Sequence, residues 1–580
     1  MLRIIISSCV MLCLVACESS QSDSLKIESL KIESLKSESD ELTSDELTSD
    51  ELTNDELTSD ALNNPTAYIP PQCYTKTTAA DGAVHNPCYV CHTESKAPNF
   101  LNDIDVQQEL VFPEPGAINR WHNMFKDNSK EVAQITDDFI LDYVRQDNYK
   151  TNNGRLILAD ALNSLPASWD RNKNGEWDGF IPDSYYNFNE KGFDVAPDGN
   201  LTGWRVFAYY PFLGTFMPVN GSTDDVMIRL PEAFRKDEQG LFNQDVYELN
   251  LSIIESLLKQ TDIIIPEVDE TLYNVDLNKD GKLSRTNTIR FAWAPNDNIY
   301  MSYVGMAKTK LEKHEVKLAA GLFPVGTEFL HSVRYIDAQN GKTAMASRMK
   351  ELRYARKDNW RNYYQLERIA TQEVKERHDF PDRTKQVLGN MEVGLTVPQG
   401  WTYQGFIEDK QGDLRPQSYE ESYFCVGCHS GTGATADTTF SFSRKFDDKS
   451  FKQGWYSWLE KDLSGISDPL RNDGYGEYGY YLTHNPSGNE YRNNHAVKNK
   501  FYDEKGNKKL SVFKALETDI SILLMPKVER ALLMNKAYKV IVNEQSYRYG
   551  RDGHVNGIIN LHKEVELGQD TGITNVLKFH

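Results

Sequence analysis

The chain has 580 residues and a formal charge of −21. That length allows several domains, or one large one with appendages, and the acidic balance excludes nucleic acid as a partner. Hydrophobic residues make up 39% of the chain, enough for a substantial core, and 30 Tyr and 9 Trp suit large, partly polar cavity walls.

Arg3 precedes a short apolar run, Ile4 to Ala16, which reads as an export signal and is too short to span a bilayer as a mature helix. The run ends in "LVAC", Leu14 to Cys17, which resembles the lipobox of bacterial lipoproteins. The resemblance implies cleavage after residue 16 and a lipid on Cys17. Residues 17–62 are a five-residue repeat, first SLKIE-like and then DELTS-like, with 14 acids and 3 lysines between 18 and 60. A five-residue period matches neither helix nor strand, so this stretch is expected to be a solvated tether.

Residues 63–200 form the first candidate cofactor region. "NPCYVCHT" (86–93) carries Cys88, Cys91 and His92. Helical spacing follows at 130–146 through Val132, Ile135, Phe139, Ile140 and Val144. The Asp/Asn loop "DRNKNGEWDG" holds Asp170, Asn172, Asn174 and Asp178.

Residues 201–345 are strand-like ("WRVFAYYPF", "DVMIRL", "GTEFLHSVRYI"), with one helix expected at 246–260. A second loop, "DLNKDGKLS", places Asp276, Asn278 and Asp280 at alternate positions, with Gly281 turning the chain. This is the start of an EF-hand calcium pattern, and position twelve is Asn287 rather than the bidentate Glu. The competing reading of both loops is an Asx-rich turn with no ion.

Residues 346–580 complete the chain. The stretch 345–378 reads as one long charged helix stopped by Pro381. "YFCVGCHS" (423–430) then repeats the earlier motif with Cys425, Cys428 and His429. A helix near 513–536 and a closing strand are expected beyond it. The fold class is therefore α+β, a composite body in which helical and irregular regions flank a β-rich middle.

Of eight cysteines, Cys9 and Cys13 leave with the signal and Cys17 takes the lipid. Four of the other five make two C-x-x-C-H motifs, the pattern of c-type haem attachment. Two thiols reach the two vinyl groups of one porphyrin, and the next residue brings an imidazole to the iron. The chemistry places little demand on the two intervening residues. A zinc site would use four thiolates or a comparable set at closer spacing, and here the pairs lie 337 residues apart. Cys73 is left over and reads as a buried apolar residue, with an unpaired thiol or a rare sixth ligand as the alternatives.

On "CYVCH", "CVGCH" and "LVAC" the chain resembles dihaem, lipid-anchored c-type cytochromes of Gram-negative bacteria. The resemblance covers those residues and not the whole chain. It implies two covalent haems with His92 and His429 as iron ligands, a location in the cell envelope and redox partner proteins. For the sixth ligands, His85, His122 and Met124 are candidates at the first motif, and Met525, Met534, His484 and His495 at the second. The expected function is electron transfer. The rivals are a haem enzyme of peroxidase or oxygenase type with one open iron, and a surface binding protein.

Overall fold

The structure, a computed structural model, describes residues 54–78, 82, 85–93, 96–99, 109–110, 112–485 and 490–571. The export signal, Cys17 and most of the acidic repeat lie outside them. The architecture is α+β, organised on one antiparallel sheet of nine strands. They are β1 (Phe193–Val195), β2 (Leu201–Phe207), β3 (Thr223–Arg229), β4 (Glu328–Gln339), β5 (Lys342–Lys357), β6 (Leu388–Asn390), β7 (Gly394–Thr396), β8 (Trp401–Glu408) and β9 (Leu414–Pro416). The order is β1-β2-β3-β4-β5-β8-β7-β6, with β9 also paired to β8.

The register places Val226, His331, Arg353 and Gly405 side by side across β3, β4, β5 and β8. Because side chains alternate along a strand, these residues and their i±2 neighbours share one face. Phe207, Val226, Phe329, Ala355 and Tyr403 on that face join the largest apolar cluster. Trp204, Val206, Met227, Leu330, Leu352, Tyr354 and Phe406 pack on the other face, against residues 149–186.

Six helices frame the sheet and the two cysteine motifs: α1 (Asp137–Arg145), α2 (Gln244–Lys259), α3 (Tyr363–Asp379), α4 (Tyr419–Cys428), α5 (Glu477–His484) and α6 (Val528–Glu544). The Asn243 side chain caps α2 by accepting the Val246 N–H at 3.1 Å, and the helix stops where Gln260 turns left-handed at φ 55°. Helices α2 and α4 cover the first sheet face, with Leu251, Ile254, Tyr419, Tyr423 and Val426 in its cluster. Helices α1 and α6 close one end of the sheet through Ile140, Val144, Tyr335, Ile541 and Val542.

Four expectations are corrected. The segment 345–378 is not one helix. Its first half is β5, hydrogen-bonded to β4 on one side and β8 on the other, and α3 takes up the second half. Its charges suggested a solvated helix, yet Arg348, Lys350, Glu351 and Lys357 are buried, and central pairing overrides helix propensity. The helix expected at 130–146 breaks at Ile135–Thr136, where the Thr136 hydroxyl caps α1. The tether ends sooner than residue 62: Asn54–Thr58 is helical, Leu57 is buried, and Glu56 pairs with Arg548 at 3.0 Å. The helix near 513–536 is three pieces interrupted around Pro526, and the closing strand is Gln569–Asp570, paired with Glu109–Leu110.

Candidate functional site

Helix α4 is built to end at a cysteine. Ser418 and Glu421 form a reciprocal capping box, in which the Ser418 hydroxyl accepts the Glu421 N–H at 3.2 Å and the Glu421 carboxylate accepts the Ser418 N–H at 2.8 Å. Cys425 and Cys428, three residues apart, fall on neighbouring positions of the last turn, and His429 is the C-cap. The first motif is a single 3-10 turn, Cys88–Val90, with the Cys91 and His92 N–H groups both donating to the Cys88 carbonyl.

The intervening residues turn out to be constrained. Tyr89 and Val90 are buried. A Cβ at Gly427 would overlap the Tyr68 carbonyl oxygen, so glycine is required where the segment around Tyr68 crosses α4.

The fold brings the two motifs together. The Ala434 N–H, six residues past Cys428, donates to the Cys91 carbonyl at 3.0 Å. Asn99 donates to the Thr432 carbonyl at 3.3 Å and the Thr435 carbonyl at 2.7 Å. Cys91 and Cys428 pack against one apolar cluster that contains Val90, Phe212, Phe440 and Leu524. Cys73 lies within electrostatic range of both Cys88 and Cys428.

All five of these thiols keep some accessible surface, although burial pushes Cys73, Cys88 and Cys428 up to about 12. Likewise His331 keeps 22% of its side-chain surface, although burial drives it down to about 3.

His429 is oriented for ligation. Its Nδ1 lies 2.8 Å from the Thr438 carbonyl, which can only accept, so Nδ1 carries the proton and Nε2 keeps its lone pair. Its ring sits 4.6 Å from Tyr403 and 5.6 Å from Phe440. The loop that supplies Thr438 is pinned by a fully buried ion pair, Lys357 Nζ to Asp437 at 2.6 Å. The second Asp437 oxygen accepts the Phe323 N–H at 2.9 Å.

These residues fit a covalent porphyrin: two thiol pairs, an imidazole whose Nε2 keeps its lone pair, and aromatic rings packed beside it. Among the described residues no three His, Cys, Asp or Glu side chains converge as a metal-ligand set; a haem iron asks for one imidazole per motif.

The sixth-ligand candidates are redistributed. His484 belongs with the first motif, since the Asn86 N–H donates to its carbonyl at 3.2 Å. Its Nδ1 faces the Tyr480 carbonyl at 2.8 Å, the arrangement seen at His429. Met525 packs on the cluster shared by Cys91 and Cys428. Met534 is buried against Gly221, and Met124 is buried against Gly550. His122 and His495 are exposed, and His85 is buried with its N–H on the Thr77 carbonyl at 2.7 Å.

In the Asp276 loop, Asp276, Asn278 and Asp280 each accept backbone N–H groups of their own turn. Buried Glu270 accepts those of Leu277, Asn278 and Ser284, so Asx hydrogen bonds account for the turn. In the other loop Asp178 accepts from the Asn172 and Asn174 side-chain amides, and its N–H reaches Glu392 at 3.2 Å.

Sequence reading missed His331 and Arg353, cross-strand partners on the buried sheet face. The signal was available in "EFLHSV" and "LRYA", where a polar residue takes an inward position of an apolar alternation. Arg353 and Arg551 share Glu351, at 2.8 and 3.1 Å. Burial alone would raise the Glu351 carboxyl, and the two guanidiniums outweigh it and hold it at about 2. A depressed carboxylate stabilises the fold above its unfolded value of 4.5 and loses that contribution as pH falls toward about 2. The urea midpoint should therefore drop between those values, and Glu351→Gln should flatten that part of the profile.

Comparison with known proteins places the chain among lipoproteins. The sequence model of a lipoprotein family matches residues 57–521, a span that includes both motifs. An uncharacterized lipoprotein of Aquifex aeolicus (strain VF5) is similar, 30% identical over 84% of this chain and 86% of its own. No solved structure matches.

Proposed function

The chain belongs to this lipoprotein family, and on that premise we propose that it is a lipid-anchored dihaem c-type cytochrome that passes electrons between partner proteins of the cell envelope. The observation that carries the reading is the convergence of two C-x-x-C-H motifs, far apart in sequence, on one apolar cluster. Each haem, when bound, supplies an iron that changes oxidation state. The protein's own residues do the rest. Cys88 with Cys91, and Cys425 with Cys428, tie the cofactors down so that they cannot be lost outside the cytoplasm. His92 and His429 would supply the imidazoles that hold the irons, and the Thr438 carbonyl fixes the tautomer and orientation of His429. Tyr403 and Phe440 flank the His429 ring. Cys17 is the lipidated residue, and the acidic tether gives the body reach from the bilayer surface.

The haem-enzyme alternative draws support from one pair, His331 and Arg353, which supplies a base and a cation on the sheet face near His429. One preparation separates the readings. The intact mass of the denatured mature protein should equal chain plus lipid plus two haems. Its spectra should be those of two low-spin irons indifferent to carbon monoxide and peroxide. A single high-spin iron would favour the enzyme, and an unmodified mass would remove both.

A further inference from the structure

Lys350, Arg353 and Arg530 border the loop 214–222, and Arg551 joins them through Glu351. Arg530, on α6, donates to the Val219 carbonyl at 2.7 Å. Lys350, 2% exposed on β5, donates to the Gly221 carbonyl at 2.9 Å and the Ser222 hydroxyl at 3.1 Å, and stands 4.0 Å over the Tyr538 ring. Arg353 reaches within 5.7 Å of the Phe216 ring. Arg551 stacks 5.3 Å from Phe424, the residue before Cys425, and donates to the Glu421 carbonyl. Arg492 is neutralised separately by Asp552 at 2.6 Å.

Of the four remaining cations, Arg353 and Arg551 have one carboxylate between them, Glu351. Among the described residues neither Lys350 nor Arg530 pairs with any carboxylate; their hydrogen bonds go to backbone carbonyls and a hydroxyl. A chain of −21 does not lack acids, yet it leaves about three positive charges in excess here, next to the second motif. Enclosed charge without a counter-charge is costly, and the simplest compensation is an anion that is not part of the polypeptide. Burial also lowers Lys350 to about 7 and Arg530 to about 10, shifts that such an anion would reverse.

We propose that Lys350, Arg353, Arg530 and Arg551 form an anion-binding pocket beside the second motif, shaped to take carboxylate or oxyanion groups. Two sources share that chemistry: the propionates of a porphyrin held by Cys425 and Cys428, or a free oxyanion. The first rests on the dihaem reading and the second does not.

The test uses the full mature protein as purified, its haem content fixed by intact mass. Inorganic phosphate is titrated calorimetrically into wild type, Arg353→Gln, Arg530→Gln and Arg353→Lys, and the midpoint potentials of all four are measured optically. If porphyrin carboxylates fill the pocket, phosphate does not bind. Arg353→Gln then lowers the potential of one haem, because an uncompensated propionate favours ferric iron, and Arg353→Lys restores part of the shift. If the occupant is free, phosphate binds saturably to wild type and at least about tenfold more weakly to Arg353→Gln and Arg530→Gln. Arg530 touches only a backbone carbonyl here, so its variant keeps the test alive should Arg353→Gln misfold. Wild type that binds no phosphate, together with potentials that no variant moves, overturns the proposal. A protein without haem that still binds phosphate would sink the dihaem reading and leave the pocket standing.

Discussion

The double variant Cys425→Ala/Cys428→Ala should lose one haem of covalent mass and keep the other. The two cysteine motifs are built by separate local elements, the last turn of α4 and the 3-10 turn at Cys88–Val90, so removing one pair leaves the geometry of the other in place. The difference spectrum should halve, and the surviving signal should belong to the iron beside His92. Stability should fall as well, because a bound porphyrin would add buried apolar contact beside Phe440 and His429 that the variant loses. Intact mass, optical spectra and a urea titration check the three parts independently. A variant that retained the full wild-type mass would show that these thiols carry no porphyrin.

The second large effect is expected at Lys357→Met. Lys357 and Asp437 are both fully buried and 2.6 Å apart, so losing the lysine strands a carboxylate. Breaking a buried pair from one side costs about 3–5 kcal/mol. Asp437→Asn should cost less, since an amide oxygen can still accept the Phe323 N–H and Asn tolerates the φ of 47° at that position. The double variant should be milder than the sum of the two, the signature of a coupled pair in a mutant cycle. The effect reaches the site, because Thr438 follows Asp437 directly and its carbonyl fixes His429. Urea denaturation gives the stability change. The spectrum of the second haem reports whether His429 has moved.

The parts of this protein that sequence reading captured share a property: they are local. Two C-x-x-C-H motifs, the helix at 246–260 and the strands near 201–207 and 328–339 can be read in windows of ten or fifteen residues. What stayed hidden depends on partners far along the chain. The segment 345–357 has a helical composition and becomes a central strand because β4 and β8 bond it from both sides. Its Lys350, Glu351, Arg353 and Lys357 answer to Gly221, Arg551, Glu351 and Asp437, and no local pattern announces those pairings. His484 sits near the second motif in sequence and next to the first in space. Gly427 looked interchangeable until the carbonyl of Tyr68 was found against it.

That crossing by residues 64–74 has a kinetic side. Residues at the start of the packed body find neighbours near the end of the chain: Glu56 pairs with Arg548, and Thr75 bridges to Leu561. Contacts of such high order form slowly, and these cannot form at all until the last residues have been exported. A polypeptide threading through a membrane therefore stays open around its cysteines for as long as translocation lasts, and on the dihaem proposal that is the interval in which the thiols would be modified, before the two ends of the molecule shut over them.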